Sequence, residues 1–363
     1  MENGVRNYSR HIIKTTRDFR FDIVVVCPPC KTRNELIRFA FYNEIRLTTS
    51  ERCSISNLLE NRASLLYNPI MFNIDFNNIK VGDRIELGTY PQGIVNDPDI
   101  EHPLKDICGA PRISEDSPWR DYDNQDGKGM YADIEYAGKR YRLMYKEKYR
   151  GSKLLSKYCD YRNKRIHVFL YEPIVWRVLK ITDNVAMLSA ERALDAQEFC
   201  VKKNGLCKRK DGYKNNYEHS YIRQWLNCAF FETAFDDAEK ALISTSVICN
   251  GPQTIKSSKD TVTCNDTEDK VFLLSFEEAK TLFANNKDRW KKATEYTKAR
   301  DGFAYKTHDA KYNNVSWWLR SPCLECSVRC VGDGGGIAAG GGSSAREAAC
   351  ALEAVVPAVY IKL

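Results

Sequence analysis

Two cysteine spacings are the residue patterns best suited to chemistry in this sequence. Cys27-Pro-Pro-Cys30 stands between the apolar run Ile23-Val24-Val25-Val26 and the amphipathic stretch "KTRNELIRFAFYNEIRL", a strand–turn–helix pattern. A dithiol of this spacing at a helix N-terminus has a lowered thiol pKa and can exchange disulfides. It could equally supply half of a zinc site. Zinc needs four ligands, however, and only Cys53 follows nearby; no aromatic residue precedes Cys27. A structural turn is the plainer expectation. The second spacing, Cys323-x2-Cys326-x3-Cys330, suits a soft metal. The five histidines (His11, His102, His167, His219, His308) are dispersed and form no ligand pair, and His167 sits in an apolar strand where a structural role is expected. "GDGGGIAAGGG" (332–342) lacks the closing Gly-Lys-Ser/Thr of a phosphate loop. Asp236-Asp237 reads as helix-start charge. The expectation is no catalytic residue, no metal and no cofactor.

The bulk numbers agree with a folded protein. Of 363 residues, 43% are hydrophobic and 11% aromatic, enough for a core. A formal charge of +7 is modest at this length, and Lys and Arg gather only in "VKKNGLCKRKDGYK" (201–214). Such a run is expected to be a solvated loop rather than a nucleic-acid site. No segment approaches the ~20 apolar residues of a membrane helix. "MENGVRNYSRHIIKTTRDFRF" has charge but no apolar signal core, so a cytoplasmic location is the default expectation, with display on a surface or phage particle as the alternative. Fourteen cysteines are many. In a reducing compartment they act as small buried residues; in an oxidising one, Cys200 with Cys207 and Cys249 with Cys264 could staple loops.

Elements that would position a site follow from periodicity. Residues 1–75 form an N-terminal region of unknown role. From about Phe76 the chain reads as strands and loops. "IKVGDRIELGTYPQG" is a strand, followed by a Pro- and Asp-rich loop through "GAPRISEDSPWRDYDNQDGKG". "MYADIEYAGKRYRLMYKEKYRG" is a hairpin about Ala137-Gly138-Lys139, and "YEPIVWRVLKITDNVAMLSAERALD" another about Asp183-Asn184. Ile222, Trp225, Leu226 and Phe230 repeat at helical spacing after Ser220, an N-cap. A short helix near Asp236 is expected to bury Ala241, Leu242 and Ile243. Ser275 and Glu278 make a capping box after the strand "KVFLL". Short strands, few helices and long loops make the class α+β.

Seven blocks in this order, "VGDRIELGTYPQ", "YADIEYAGKRYR", "YEPIVWRVL", "SYIRQWLNCAFFETAFDDAEKALI", "DKVFLLSFEEA", "WWLRSP" and "VVPAVYIKL", resemble a bacterial family described as a domain of unknown function. Its members are similar to the C-type-lectin-like fold of formylglycine-generating enzymes and of the variable proteins of diversity-generating retroelements. The resemblance covers residues 76–363. It implies that Trp317, Trp318, Leu319 and Arg320 anchor one end of a C-terminal binding segment, 323–354, and that Pro357 and Tyr360 in a last strand, Val355–Leu363, anchor the other. In the retroelement-linked members that segment is rewritten by a reverse transcriptase erring at adenines. Template Asn codons then become codons ending in C or T, which cannot encode Lys, Gln, Glu, Met or Trp. From Cys323 to Ala354 there is no Lys, Gln, Met, Trp or Asn, and 21 of the 32 residues are Ala, Gly, Ser or Cys; Glu325, Glu347 and Glu353 are the departures.

The resulting expectation is non-enzymatic recognition of a protein or glycan, on another cell for instance, through Cys323, Leu324, Cys326, Arg329, Cys330, Gly332, Gly334, Gly336, Ala338, Ala339, Arg346 and Leu352. Leu324, Arg329 and Arg346 would supply most of the contact chemistry. The segment would be permissive because the fold does not depend on it. An ordinary Gly-rich loop on a structural scaffold is one alternative. A copper oxidoreductase like the formylglycine-generating enzymes is the other, although the strand and Arg-rich motifs of that active site are missing.

Overall fold

The computed structural model describes residues 78–122, 129–146, 166–200, 215–251, 253–254, 261–262, 264–300, 314–323, 327–337, 345–347 and 353–363. The chain divides into two units, Met1–Phe72 and Asn73–Leu363, and every described residue lies in the second. Cys27, Cys30, Cys53, the basic run 201–214 and Cys207 lie outside the described residues.

The first half of this unit runs β1 (Arg84–Val95), helix α1 (Pro98–Cys108), β2 (Arg120–Asp121), β3 (Gly129–Tyr136), β4 (Lys139–Lys146), β5 (Ile166–Thr182), β6 (Val185–Ala190), β7 (Arg192–Ala193) and β8 (Asp195–Gln197). Helices follow: α2 (Tyr221–Trp225), a π-helical turn over Leu226–Phe230, α3 (Phe231–Ala234) and α4 (Asp237–Leu242). Then come β9 (Ser246–Ile248), β10 (Gln253–Thr254), β11 (Thr261–Val262), β12 (Thr267–Asp269), β13 (Val271–Phe272), α5 (Phe276–Thr281), β14 (Lys292–Ala293) and α6 (Glu295–Ala299). The chain closes with β15 (Trp317–Pro322), β16 (Ser327–Val331), β17 (Ala345–Glu347), β18 (Glu353–Val355) and β19 (Ala358–Lys362). The class is α+β with strands dominant.

Two sheets organise these elements. The larger has the order β13-β19-β6-β5-β4-β3-β2, with β1 also paired to β5. β5 is long enough to serve three partners: β1 along Val168–Arg177, β4 along Ile166–Leu170 and β6 along Trp176–Thr182. The second sheet has the order β17-β16-β15-β18-β8. Leu104 and Cys108 of α1 pack on Ala132, Tyr141, Leu143 and Val168, with Trp119 fully buried beside them and its indole N–H donated to Cys108 O at 3.0 Å. All six residues of β15 are buried. Trp317 donates to Arg289 O at 3.2 Å and Trp318 to Gln197 O at 2.8 Å, so each large ring also satisfies its one polar atom.

Several expectations are corrected. The Pro- and Asp-rich loop after β1 begins with helix α1. Asp97 caps it by accepting from Asp99 N, Pro98 occupies the first turn where no N–H is needed, and Gly109 ends it. The final strand is two strands in two sheets, because Pro357 has no N–H for a ladder; β18 pairs with β8 and β19 with β6. Lys139 opens β4 instead of sitting in the turn, where Ala137 has φ 50°. Helix α4 turns Glu239 and Ile243 inward, while Ala241 is exposed and Leu242 half-buried. Glu239 Oε2 accepts from Asp236 N at 2.9 Å and Oε1 from Gly88 N at 2.7 Å. Gly88, at φ +74° in the β1 bulge, leaves room for Ala234 O, which would lie 2.7 Å from a Cβ there. The inward residue is therefore a polar clasp holding the bulge.

Lys291 is fully buried with its Nζ donated to Ala190 O at 2.6 Å and set 5.8 Å from the Phe283 ring. Burial pushes its ammonium down to about 8 from 10.5, against the pull of Glu191. Protons thus bind the unfolded chain more tightly, and the charged amine costs the fold about 3 kcal/mol below pH 8, a cost that disappears as pH rises toward 10.5. Stability of the natural chain relative to Lys291→Met is expected to climb across that interval in urea titrations. A pH-independent difference would show that the amine is solvated in the fold.

Candidate functional site

The two sheets and helix α2 leave a small cleft, open on one side, that encloses about 40 Å³. Tyr90 of β1, Asp121 and Tyr122 at β2, Tyr131 of β3 and Arg142 of β4 line one side. Asp195 and Gln197 of β8, Tyr221 and Trp225 of α2, and Arg300 after α6 line the other. Strand period places Asp195 and Gln197 on one face. Hairpin register sets Asp133 directly opposite Arg142, and the guanidinium takes both carboxylate oxygens at 2.7 Å. Tyr131, two residues before Asp133, offers its ring to the same guanidinium, 4.4 Å from the ring centre.

A second ion pair lies deeper. Arg300 Nε donates to Asp195 Oδ1 at 3.1 Å, and Asp195 Oδ2 accepts from Tyr90 OH at 2.7 Å. The Arg300 guanidinium covers Tyr122 at 3.8 Å. Tyr296 links the two pairs, accepting from Arg142 Nη1 at 3.2 Å and sharing a 3.0 Å hydrogen bond with Tyr122 OH. Burial raises the hydroxyl pKa of Tyr90, Tyr122 and Tyr296, the last to about 12, so all three stay protonated near neutrality. Burial also raises Asp133, but Arg142, by charge and hydrogen bonds, outweighs it and holds the carboxyl below its ordinary value.

Some polar groups remain unused. Gln197 is 3% exposed, lines the cleft and makes no side-chain hydrogen bond among the described residues; its Oε1 is a buried acceptor without a partner. The terminal nitrogens of Arg300, the indole N–H of Trp225 and the carboxylate of Asp121 likewise have no hydrogen-bond partner among the described residues. None of these cleft residues was read as a site residue from sequence; Trp225 was read only as part of the apolar helix spacing. The hairpin register about Ala137-Gly138 could have paired Asp133 with Arg142. Nothing local could have brought Arg300 to Asp195.

The described residues of the segment singled out from sequence lie elsewhere, in or beside β15 and β16 of the second sheet. Cys323, Arg329 and Cys330 are buried, and the Arg329 guanidinium lies 4.5 Å from the centre of the Phe276 ring. Neither Cys323 nor Cys330 is in a disulfide. Gly332 and Gly336 are half-buried and Gly334 exposed. Leu324, Cys326, Ala338, Ala339 and Leu352 fall outside the described residues, and of Arg346 only its place in β17 is described. Among the anchors, Trp317, Trp318 and Leu319 are fully buried, Pro357 is buried and Tyr360 is half-buried, stacked on Phe272. Arg320 donates to Leu273 O, Cys249 O, Asn250 Oδ1 and both oxygens of Glu278. Cys200 is disulfide-bonded, whereas Cys249 and Cys264 are free. Among the described residues no cluster of His, Cys, Asp and Glu could hold a metal, and no helix is long and apolar enough to cross a membrane.

Residues 183–363 match the family model described as "Domain of unknown function (DUF6273)". The matched stretch contains Asp195, Gln197, Tyr221, Trp225 and Arg300, while Tyr90, Asp121, Tyr122, Tyr131 and Arg142 precede it. No curated protein and no solved structure matches the chain.

Proposed function

We propose that the chain is a non-enzymatic recognition protein on a C-type-lectin-like scaffold, and that the cleft between β1–β4, β8 and α2 is its ligand site. One observation carries this reading. The cleft's cations are already neutralised inside the protein, by Asp133 and Asp195, while the Gln197 amide and the Arg300 terminal nitrogens are left for a ligand. Its tyrosine hydroxyls are held in their neutral form, so the groups on hand bind rather than attack or abstract protons. Screening the full chain by NMR against mixed small molecules, glycans and peptides is expected to give binders that lose about tenfold in affinity in Gln197→Ala. If every binder ignores that substitution, the cleft is not the site.

A second reading makes 323–354 a diversified binding surface, as in variable proteins of diversity-generating retroelements. The burial of Trp317 and Trp318 at one end and of Val355 to Val359 at the other supports it, because both ends are fixed by packing. Sequencing the gene's 3′ end across a population of the source organism tests it. Variation at these codons beside an adenine-bearing near-copy supports diversification, and an invariant segment with no template removes it. The oxidoreductase reading has less support, since Cys323 and Cys330 are closed to a substrate thiol.

A further inference from the structure

We infer that Arg84, Arg177 and the buried Lys291 form a second site, one for the dianionic phosphate group of a small phosphomonoester. None of the three lines the cleft. Sheet register puts Arg84 of β1, Arg177 of β5 and Ser189 of β6 side by side across three strands, and so on one face. Both guanidiniums turn to Glu191. Its Oε1 accepts from Arg84 Nη2 and from Arg177 Nη2, each at 2.8 Å, and its Oε2 from Arg177 Nε at 3.0 Å. Burial alone would raise the Glu191 carboxyl, yet Arg177, Lys291 and Arg84 together hold it below its ordinary value.

Three cations thus share one carboxylate. Among the described residues no other acid is hydrogen-bonded to Arg84, Arg177 or Lys291, so two positive charges are left over. Donors are left over too. Nη1 of Arg84 and Nη1 of Arg177 make no hydrogen bond among the described residues, and the buried Ser189 hydroxyl has no partner there either. The two Nη2 atoms share one oxygen and so lie within about 6 Å of each other, a span that a tetrahedral oxyanion bridges. Exposure falls from 56% for the Arg84 side chain to 24% for that of Arg177, and Lys291 is 1% exposed. An anion therefore reaches the guanidiniums from solvent and feels a buried ammonium that water screens poorly. The excess charge selects the ligand. A phosphomonoester dianion cancels both charges, whereas a carboxylate or a phosphodiester carries one and leaves the other. A nucleic acid or an anionic membrane needs a spread of exposed cations. Of these three Arg84 alone is largely exposed, and Glu86, its neighbour on the outward face of β1, repels a second phosphate.

The test is calorimetric titration of the full chain at pH 8, in two buffers of different ionisation heat. The probes are inorganic phosphate, glycerol phosphate, sulfate, acetate and dimethyl phosphate, with a phosphoserine peptide and phosphatidic acid vesicles alongside. Phosphate and glycerol phosphate are expected to bind with Kd below about 1 mM, and about tenfold or more tighter than acetate or dimethyl phosphate. Arg84→Gln should weaken both about tenfold with unchanged circular dichroism, because the Arg84 side chain is mostly exposed and its loss leaves the core intact. Burial, with Arg177 and Arg84, brings the Lys291 ammonium down to about 8 against the pull of Glu191. A dianion nearby favours the charged amine, so binding at pH 8 takes up protons. Sulfate, which does not titrate there, isolates that uptake, and Lys291→Met should abolish it. Sulfate binding without proton uptake by the natural chain, or phosphate affinity unchanged in Arg84→Gln, overturns the site. Acetate binding as tightly as phosphate overturns the dianion. Binding confined to the phosphoserine peptide or to the vesicles overturns the small-molecule assignment, and absence of binding overturns the inference.

Discussion

Gly335→Ala is expected to destabilise the domain by about 3–5 kcal/mol, whereas Gly334→Ala, one position earlier, should stay within about 1 kcal/mol of the natural chain. Gly335 has φ +76°, where a Cβ is strained whatever its surroundings. The surroundings are also closed. A Cβ would lie 1.9 Å from Asn286 O, 2.7 Å from its carbonyl carbon and 2.9 Å from the Trp290 ring. Two of those atoms are backbone, so no side-chain rotation relieves the clash. Hydrogen bonds lock the same turn: Gly335 N donates to Gly332 O at 2.7 Å, Gly332 N to Gly336 O at 2.9 Å, and buried Arg289 Nε to Gly335 O at 2.8 Å. At Gly334 nothing lies within 4 Å of the added Cβ. Urea unfolding of the two variants checks the contrast. A loss below about 1 kcal/mol for Gly335→Ala would mean the turn can lift away from Asn286, and the segment would again read as a permissive loop.

That glycine marks where the sequence stops being readable. Ser220 and the Ser275–Glu278 box declare helix starts because a cap is a contact three residues long, and both form as expected. The Asp183-Asn184 turn and the buried Trp317-Trp318 pair are equally local or strongly apolar signals. Gly334, Gly335 and Gly336 look alike in a run; what distinguishes the middle one is its packing against Asn286, Arg289 and Trp290, which come from a distant segment. Arg329 reads as a surface contact because it stands among small residues, yet Phe276 from α5 covers it. The π-helical turn at Leu226–Phe230 left no trace either, since its residues keep the apolar spacing of an ordinary helix. The cleft is the extreme case. Each of its residue types is unremarkable in its own strand or helix, and only the meeting of β1–β4 with β8 and Arg300 makes them line one cleft.

Arg142→Met is expected to cost about 3 kcal/mol near neutral pH, because it strands Asp133 without its partner. Arg142 is 3% exposed, and its guanidinium serves both Asp133 oxygens and Tyr296 OH. Arg140, 3.8 Å from Asp133 and about a third exposed, offers only partial compensation. Replacing both partners, as Arg142→Met with Asp133→Leu, should cost less than the single change, since no charge is then left without its mate. The pH dependence follows from the same pair. Asp133 has a folded pKa below its unfolded value, so its contribution is full above the unfolded pKa, near 4, and is lost as pH falls through the folded one. Without Arg142, only Arg140 and the Tyr171 hydroxyl oppose burial at that carboxyl, and protonation relieves the variant at a higher pH. The stability gap between the natural chain and Arg142→Met should therefore be widest near neutrality and close on acidification. Unfolding titrations of the single and double variants over a pH series measure it. A gap that stays constant into acid, or a double variant as unstable as the single, would assign the loss to packing against Tyr131 and Tyr296 instead of to the ion pair. Because Tyr296 joins Arg142 to Tyr122 beneath Arg300, loss of that pair should also loosen the lining of the cleft.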